Sequence, residues 1–352
     1  MLKVKKFMII LIISIFPSFS SEEWNGKIYK ENGITVVESK GKGIWGEDIE
    51  KKVLFSDTLS LGLEEGDEKL IFGDELEIAV DSEENIYILD SRNFRVLKFD
   101  KNGKFLWKIG RKGQGPRELE RPCKIKITSK NNFAVLDYHF KIHFFTSDGK
   151  YLSTLKSKKI IHNIEFLNDG RMLVCLFTAV KLGYTAEFWS EDGKFLSDFP
   201  DKYFFSPEIS SGKMLGITMG LNKSKDKIFL SIPDRYEIRE YDLNGNTLRK
   251  IRRDFPLKPP RIEIKGKGAR IEISDISGPT FILKNGNIVN FVDLSGGEIK
   301  GKFLDFFDVQ GRFLGSLKVK ENIIEVDQKD NFYFLQYEPF PKIIRRTLKI
   351  IY

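Results

Sequence analysis

Cysteine and histidine are scarce in this chain, whose 352 residues contain two cysteines and three histidines. There is no CxxC pair, no GxSxG phrase and no run of residues with metal-ligand spacing. The sequence therefore carries no signature of a thiol redox enzyme, a serine hydrolase or a zinc finger. Long helical periodicity is also lacking after the first residues. What is present is 41% hydrophobic and 13% aromatic residues, which is enough apolar material for a globular core.

The longest apolar run, residues 7–16, lies at the N-terminus. Three lysines precede it, and Ser18 and Ser20 supply small residues before Ser21. This order is typical of a secretory signal peptide, and the run is too short for a membrane-spanning helix, which needs about 20 residues. We predict a signal peptide over 1–20, a single domain over 21–352 with no transmembrane segment after cleavage, and export to a periplasm or to the outside of the cell.

The formal net charge is +8, and it falls to +5 once the three lysines of the signal peptide are subtracted. That is a mild basic excess among 31% charged residues. It favours anionic partners only weakly, and export argues against nucleic acid as a partner.

A short phrase recurs along the chain: an aromatic residue, polar residues, a glycine and then a hydrophobic pair. Its copies lie at 99–106, 145–152, 189–196, 241–248 and 307–314, with glycines at positions 103, 149, 193, 245 and 311. Asp-Gly or Asn-Gly between alternating hydrophobic residues is a strong signal for a β-hairpin, because the tight turn needs positive φ.

A second turn precedes each of these phrases. Its six copies lie at 81–89, 129–136, 167–174, 224–231, 283–290 and 328–335. Each unit thus contains four short strands in an antiparallel meander, which is typical of a β-propeller blade. We predict an all-β fold with six four-stranded blades, since a β-sandwich would not explain six copies of one two-turn unit. Cys123 and Cys175 fall in different blades, which favours two separate buried thiols over a disulfide.

The sixth unit lacks its fourth strand, and the N-terminal part of the chain supplies a candidate. Residues 53–81 share the layout of residues 104–128: a strand that ends in glycine (Gly62 and Gly110), a polar loop and a new strand. We therefore predict that residues 53–61 form the outer strand of the last blade and close the ring, which removes an open sheet edge. The hairpin-like stretch 26–39 is expected to pack at the same seam.

Residues 78–127 resemble the NHL-repeat propellers within the broader six-bladed propeller family of exported bacterial proteins. The residues that fall on the family pattern are Asp81, Asn85, Asp90, Asn93, Arg95, Phe99, Gly103, Gly113, Gly115 and Pro116. Arg117 and Leu119 depart from it, and the other units keep the turns without the Asn-x-Arg signature. The resemblance implies the propeller fold, which hosts binding proteins and enzymes alike.

In such propellers, the loops between the second and third strands share one face with the connections between blades, around the mouth of the central channel. The ligand-binding residues that we predict on this face are Asp90, Arg92, Arg111, Asp137, His139, His162 and Arg235. Arginine offers a planar fork suited to carboxylates, which favours an acidic peptide, a glycan or an organic anion. A structural role competes with this interpretation, because aspartates often hydrogen-bond loop backbone and arginines often pair with neighbouring acids.

The sequence predicts no cofactor, no catalytic residue and no metal ligand. Zinc normally needs three or four protein ligands, and only His139 and His162 are placed together. Calcium would need a converging set of oxygen ligands, which no phrase singles out.

These observations favour a monomeric binding or interaction module for peptide, protein or polysaccharide. The main alternative is a metal-dependent hydrolase or lyase of the lactonase or NHL-lyase type, with zinc or calcium in the central channel. A third possibility is a scaffold that docks through its outer strands.

Overall fold

A computed structural model of the chain describes residues 23–178, 183–201, 203–204, 218–232, 236–255, 257, 261–265, 268–272, 276–294 and 299–351. The predicted signal peptide lies outside these residues. Five short elements precede the first blade: β1 (Gly26–Glu31), β2 (Ile34–Ser39), a 3-10 turn (Gly46–Asp48), α1 (Ile49–Lys52) and β3 (Val53–Leu61). No helix among the described residues has the length and apolar character that crossing a membrane requires.

The described residues form six antiparallel blades of four principal strands each. Blade 1 contains β4 (Leu76–Val80), β5 (Ile86–Asp90), β6 (Arg95–Phe99) and β7 (Phe105–Ile109). Blade 2 contains β8 (Pro122–Ile127), β9 (Phe133–Asp137), β10 (Lys141–Phe145) and β11 (Tyr151–Lys156). Blade 3 contains β12 (Ile160–Phe166), β13 (Arg171–Thr178), β14 (Gly183–Ser190) and β15 (Phe195–Asp198), and the short strand β16 (Tyr203–Phe204) also pairs with β14.

The second half of the chain repeats this plan. Blade 4 contains β17 (Thr218–Leu221), β18 (Ile228–Ile232), β19 (Glu237–Tyr241) and β20 (Thr247–Arg253); a separate hairpin follows, β21 (Arg261–Lys265) and β22 (Gly268–Glu272); blade 5 contains β23 (Ile276–Ile282), β24 (Ile288–Leu294), β25 (Gly301–Phe307) and β26 (Phe313–Val319); blade 6 contains β27 (Asn322–Val326), β28 (Asn331–Gln336), β29 (Lys342–Ile350) and β3.

The blades form a ring around a central channel. Their first strands contact one another in the cyclic order β4, β8, β12, β17, β23, β27 and back to β4. One hydrophobic cluster fills each interface between neighbouring blades. Between blades 4 and 5, for example, the cluster contains Ile238 and Phe307, both fully buried. The core is therefore divided among the blade interfaces, and the channel wall is left to other side chains.

The ring closes as the sequence predicts. Strand β3 pairs antiparallel with β29, from Leu61 opposite Ile343 to Val53 opposite Ile350. The outer strand of blade 6 thus comes from the N-terminal side of the chain, and the remaining three strands come from the C-terminal end. Backbone hydrogen bonds between the two ends of the chain hold the ring shut.

The prediction that residues 26–39 pack at this seam is wrong. The hairpin β1–β2 lies on the outer edge of blade 4, where β2 runs parallel to β20 from Thr35 opposite Arg249 to Ser39 opposite Arg253. Charge complementarity explains this choice, because Glu31 forms ion pairs with Lys250 (2.6 Å) and Arg252 (2.8 Å) of the basic strand β20. The hairpin covers an edge that would otherwise stay open.

The turns that define the repeat have the predicted conformation. The turn glycines Gly103, Gly149, Gly193, Gly245 and Gly311 have φ between 82° and 89°, a region that side chains with a Cβ rarely adopt. Cys123 and Cys175 lie on different blades, in β8 and β13, and both thiols are free.

Candidate functional site

Two faces of the ring carry its connections. The loop face holds the loops between second and third strands and the connections between blades, for example residues 91–94 and 110–121. The turn face holds the turns between first and second strands, for example 222–227, and those between third and fourth strands. The central channel joins the two faces.

Asp90 ends strand β5 at the loop face and is fully buried. Its carboxylate accepts hydrogen bonds from the backbone N–H of Gly73 (3.3 Å), the Asn93 amide (2.8 Å) and Arg95 Nε (3.0 Å). All of these donors belong to the same blade or to the connection that enters it. Asp90 therefore fixes the loops around it, and its acceptor capacity is used within the protein.

Asp137 occupies the equivalent position at the end of β9 in blade 2 and is 1% exposed. It accepts hydrogen bonds from the backbone N–H groups of Glu120 (2.9 Å) and Arg121 (2.5 Å), and it lies 3.2 Å from His143 Nε2. Burial raises the pKa of the Asp137 carboxyl, but His143 and the two N–H groups outweigh burial and lower it. The side chain is an ionised anchor for the connection between blades 1 and 2.

Two of the three arginines predicted on this face, Arg92 and Arg111, are exposed and pair with nearby acids. Arg92 lies 2.9 Å from Asp74 and 3.2 Å from Glu75. Arg111 lies 2.8 Å from Glu118. Exposed pairs of this kind contribute little to stability, and a ligand could compete for the arginine.

His139 and His162 lie on neighbouring blades at the same face. His139 Nδ1 lies 2.9 Å from the backbone oxygen of Ile161. The His162 ring packs against Tyr184 with 4.8 Å between ring centroids, and His162 Nδ1 is buried without a hydrogen-bond partner among the described residues. Burial first, then Lys124 and His139, lower the pKa of His162 to about 4. His162 is therefore neutral at physiological pH.

The structure thus brings six of the seven predicted residues to the loop face of blades 1–3, while Arg235 lies outside the described residues. Each of the two aspartates has several partners within the protein. The binding role of all seven residues stays a prediction.

The central channel contains a cavity of about 350 Å³ that all six first strands line. Charged side chains are unusually frequent there: the set consists of Glu77, Lys124, Lys126, Glu165, Lys223, Lys225, Glu325 and Asp327. Charged residues rarely line an enclosed space unless they are paired or bind something.

Two ion pairs use four of these residues. Lys124 binds Glu77, and Lys126 binds Glu165 on the neighbouring blade. Burial disfavours the charged form of Lys126, but Glu165, Glu325 and Glu77 together raise its pKa. These pairs link the first strands of blades 1, 2 and 3 across the channel wall.

Lys223 follows strand β17 and reaches across to blade 6. Its ammonium donates to the backbone oxygens of Asp327 (2.6 Å) and Val326 (3.3 Å) and lies 3.6 Å from Asp330. Burial lowers the pKa of Lys223 despite these acids.

Asp327, Lys225 and Glu325 complete the charged set at the turn end of the channel. The Asp327 carboxylate accepts hydrogen bonds from Lys329, Asn331 and Tyr333 of its own blade. The Lys225 ammonium makes no hydrogen bond or ion pair within the part of the chain that the structure describes. Glu325 accepts a hydrogen bond from the backbone N–H of Val326 (2.9 Å). Burial lowers the pKa of Lys225 and raises that of Glu325. Both groups therefore sit where their charged forms lack full compensation.

Sequence reasoning missed the channel residues, although a signal for them exists. In strand β8, Lys124 and Lys126 flank Ile125, which is 1% exposed. Charged residues at alternate positions of a first strand indicate a wall with one apolar side and one polar side. No group of three or more His, Cys, Asp or Glu side chains that could hold a metal ion occurs among the described residues.

A family model described as a 6-bladed beta-propeller (DUF5128) matches residues 63–253, more than half of the chain. No curated protein matches this sequence.

Several solved structures share the fold. An exported protein of Bacteroides fragilis is 14% identical over 90% of this chain and 100% of its own, with a TM-score of 0.61. A member of the duf4221 family from Bacteroides vulgatus is 11% identical over 85% of this chain and 99% of its own, also with a TM-score of 0.61. A luciferin-regenerating enzyme is 11% identical over 82% of this chain and 95% of its own, with a TM-score of 0.50. At these identities the similarity shows the shared architecture.

Proposed function

We propose that this chain, which belongs to the DUF5128 family of 6-bladed beta-propellers, is an exported binding module whose central channel holds a small polar ligand or the end of a peptide or glycan chain. The observation that carries this proposal is the convergence of all six first strands on one cavity with eight charged side chains. The blade interfaces, by contrast, are filled with apolar side chains.

The size of the cavity selects the kind of ligand. A volume of about 350 Å³ falls at the lower end of the range of roughly 300–1,000 Å³ for small-molecule sites. A stable interface with a folded protein needs about 800 Å² of surface from each partner, which a cavity of this volume does not offer. The channel therefore suits a small molecule or a chain end.

The loop face has a supporting role in this proposal. Arg92 and Arg111 are exposed at the loop face and could guide an acidic group towards the channel. Export is proposed on the lysines, the apolar run and the small residues of positions 1–20. The similar Bacteroides fragilis protein, which is described as exported, agrees with this proposal.

The test is a ligand screen with a blocked channel. Asn163 lines the channel and is half-buried, so Asn163→Phe should fill the cavity. Asn102→Phe makes the same change at an exposed turn on the outside of blade 1 and serves as the matched control. Ligand-observed NMR would be recorded with a set of amino acids, dipeptides, neutral sugars and sugar acids.

At least one compound should bind the wild-type protein and N102F, and its binding should be lost in N163F. If bound compounds persist in N163F but disappear in Arg92→Ala, the loop face is the site and the channel proposal is wrong. If no compound of the set binds the wild-type protein, the channel is not a small-ligand site.

A further inference from the structure

Lys225 has an unusual backbone conformation for a lysine. It lies in the turn between the first and second strands of blade 4, with φ +52°. Blades 3 and 5 have Gly170 and Gly286 at the corresponding left-handed position, and blade 2 has Asn131. Glycine and asparagine adopt this conformation readily, whereas a long side chain is strained there. A strained residue beside a cavity is a reason to look for a function.

The side chain of Lys225 lines the channel, and its ammonium has no partner among the described residues. Glu84 is the other long side chain at this turn position, in blade 1, and it forms an ion pair with Lys329. A long side chain at this turn position can therefore form an ion pair within the protein, but the Lys225 ammonium forms none among the described residues. Its positive charge is available to a ligand inside the channel.

The other charged groups of the channel show which ligand charge fits. Lys124 and Lys126 are bound by Glu77 and Glu165, and Lys223 is held by backbone oxygens and Asp330. A ligand ammonium would find these two glutamates already paired with lysines and the Asp327 carboxylate already bound by Lys329, Asn331 and Tyr333. Burial favours the neutral form of Glu325, the remaining acid. A ligand carboxylate would find the unpaired Lys225.

Two polar groups of the same cavity have unused hydrogen-bonding capacity. Glu325 and Asn163 line the same cavity, and each uses only part of its hydrogen-bonding capacity on a neighbouring backbone N–H. An amide and a carboxyl of this kind bind hydroxyl groups well, as donors, acceptors or both. A ligand with one carboxylate and several hydroxyls satisfies all of these groups at once.

We infer that the channel binds a sugar acid, with its carboxylate on Lys225 at the turn end and its hydroxyls against Glu325 and Asn163. This inference rests on the proposed function, because it requires the channel to be the ligand site. It differs from the sequence-based prediction in placing the charged contact near the turn face and away from the loop face.

The experiment compares three sugars that differ in one group: galacturonate, galactose and galactosamine. Isothermal titration calorimetry would be run on the full chain after signal cleavage. Lys225→Asn removes the ammonium but keeps a residue that tolerates the left-handed turn, as Asn131 does in blade 2. Lys225→Arg keeps the charge. Lys130→Asn, on the exposed turn of blade 2, is the matched control.

The wild-type protein and K130N should bind galacturonate at least tenfold more tightly than galactose or galactosamine. K225N should lose this preference, and K225R should retain most of it. If galacturonate binding is lost in N163F but unchanged in K225N, the inference is wrong while the channel proposal stands. A preference for galactosamine, or binding of amino acids but of none of the three sugars, would likewise overturn the inference alone. If no compound binds in the channel, both proposals fail.

Discussion

The loop face and the channel use charged residues in different ways. At the loop face, Asp90 and Asp137 each hold several donors of the protein, and the exposed Arg92 and Arg111 each pair with an acid. In the channel, the Lys225 ammonium is unpaired within the described residues and the Glu325 carboxyl has one backbone donor. Charged residues at the loop face can therefore stabilise the fold, whereas charged groups without a partner in the protein mark the more promising binding site.

The largest expected change in stability follows from removing a buried aspartate of the loop face. Asp137→Ala removes the acceptor of two backbone N–H groups and the partner of His143. Because these groups are buried or half-buried, we expect the free energy of unfolding to fall by about 3 kcal/mol. The Asp137 pKa is lowered in the folded protein, so its contribution is present above the unfolded value of about 3.9 and is lost as the pH falls through the folded value.

Urea denaturation of the wild-type protein and D137A at pH 7 measures this effect. Asp198→Ala is the control, because Asp198 lies exposed on the outer strand β15, and it should change stability by less than about 0.5 kcal/mol. If D137A were as stable as D198A, Asp137 would not be a structural anchor and a binding role would regain its place.

The repeat made most of the fold predictable. The closing strand β3 could be located from the sequence because the residues around Gly62 have the same layout as those around Gly110. This internal similarity identified the strand that the sixth unit lacks. The hairpin β1–β2 has no counterpart in the repeat. Its place on β20 depends on contacts between Glu31 and residues more than 200 positions later, and no local pattern reports such contacts.

The candidate site was less predictable for a physical reason. Aspartates at strand ends are visible in the sequence, and the capping role that competed with ligand binding accounts for the contacts of Asp90 and Asp137. Lys225 stands in a polar turn, where a lysine attracts no notice. Only the ring geometry turns its side chain and Glu325 towards the same space, and that geometry arises from packing between blades.

A second prediction concerns His162, whose pKa is lowered to about 4, mainly by burial. The unfolded chain takes up a proton below about pH 6.5, while folded His162 stays neutral. Stability should therefore fall as the pH drops from about 6.5 to 4, and His162 should account for about 1–2 kcal/mol of the loss after allowance for partial solvent access.

His162→Phe keeps a ring against Tyr184 and removes the titration. Its urea midpoint should exceed that of the wild-type protein more at pH 4.5 than at pH 7. Tyr184→Phe retains the imidazole and should keep the wild-type pH dependence. An H162F protein with an unchanged pH dependence would show that His162 has the same pKa in the folded and unfolded chain, so that burial does not keep its ring neutral.

A third prediction concerns the backbone strain at Lys225 in the channel. Lys225→Gly relieves the left-handed strain at φ +52°, so the free energy of unfolding should rise by about 0.5–1 kcal/mol while ligand binding is lost. Lys194→Gly is the control, since Lys194 follows a turn glycine without itself adopting positive φ, and it should be neutral or destabilising. Thermal and urea denaturation measure both variants. A K225G protein that is less stable than the wild type would show that Lys225 stabilises the fold through its side chain, and the case for a ligand contact would weaken.

The smallest effect is expected at Arg111, whose side chain is 80% exposed beside Glu118. Arg111→Ala should change stability by less than about 0.5 kcal/mol, because water and salt screen the pair. Glu118→Ala should cost more stability than Arg111→Ala, since Glu118 also accepts the backbone N–H of Gly115 at 2.9 Å. Comparing the two variants distinguishes Glu118, which holds the connection between blades 1 and 2, from Arg111, which faces solvent. If R111A leaves stability unchanged but weakens the binding of a channel ligand at low salt, and 1 M salt removes that effect, Arg111 guides the ligand from the loop face. If ligand binding is also unchanged in R111A, the channel binds its ligand without help from Arg111.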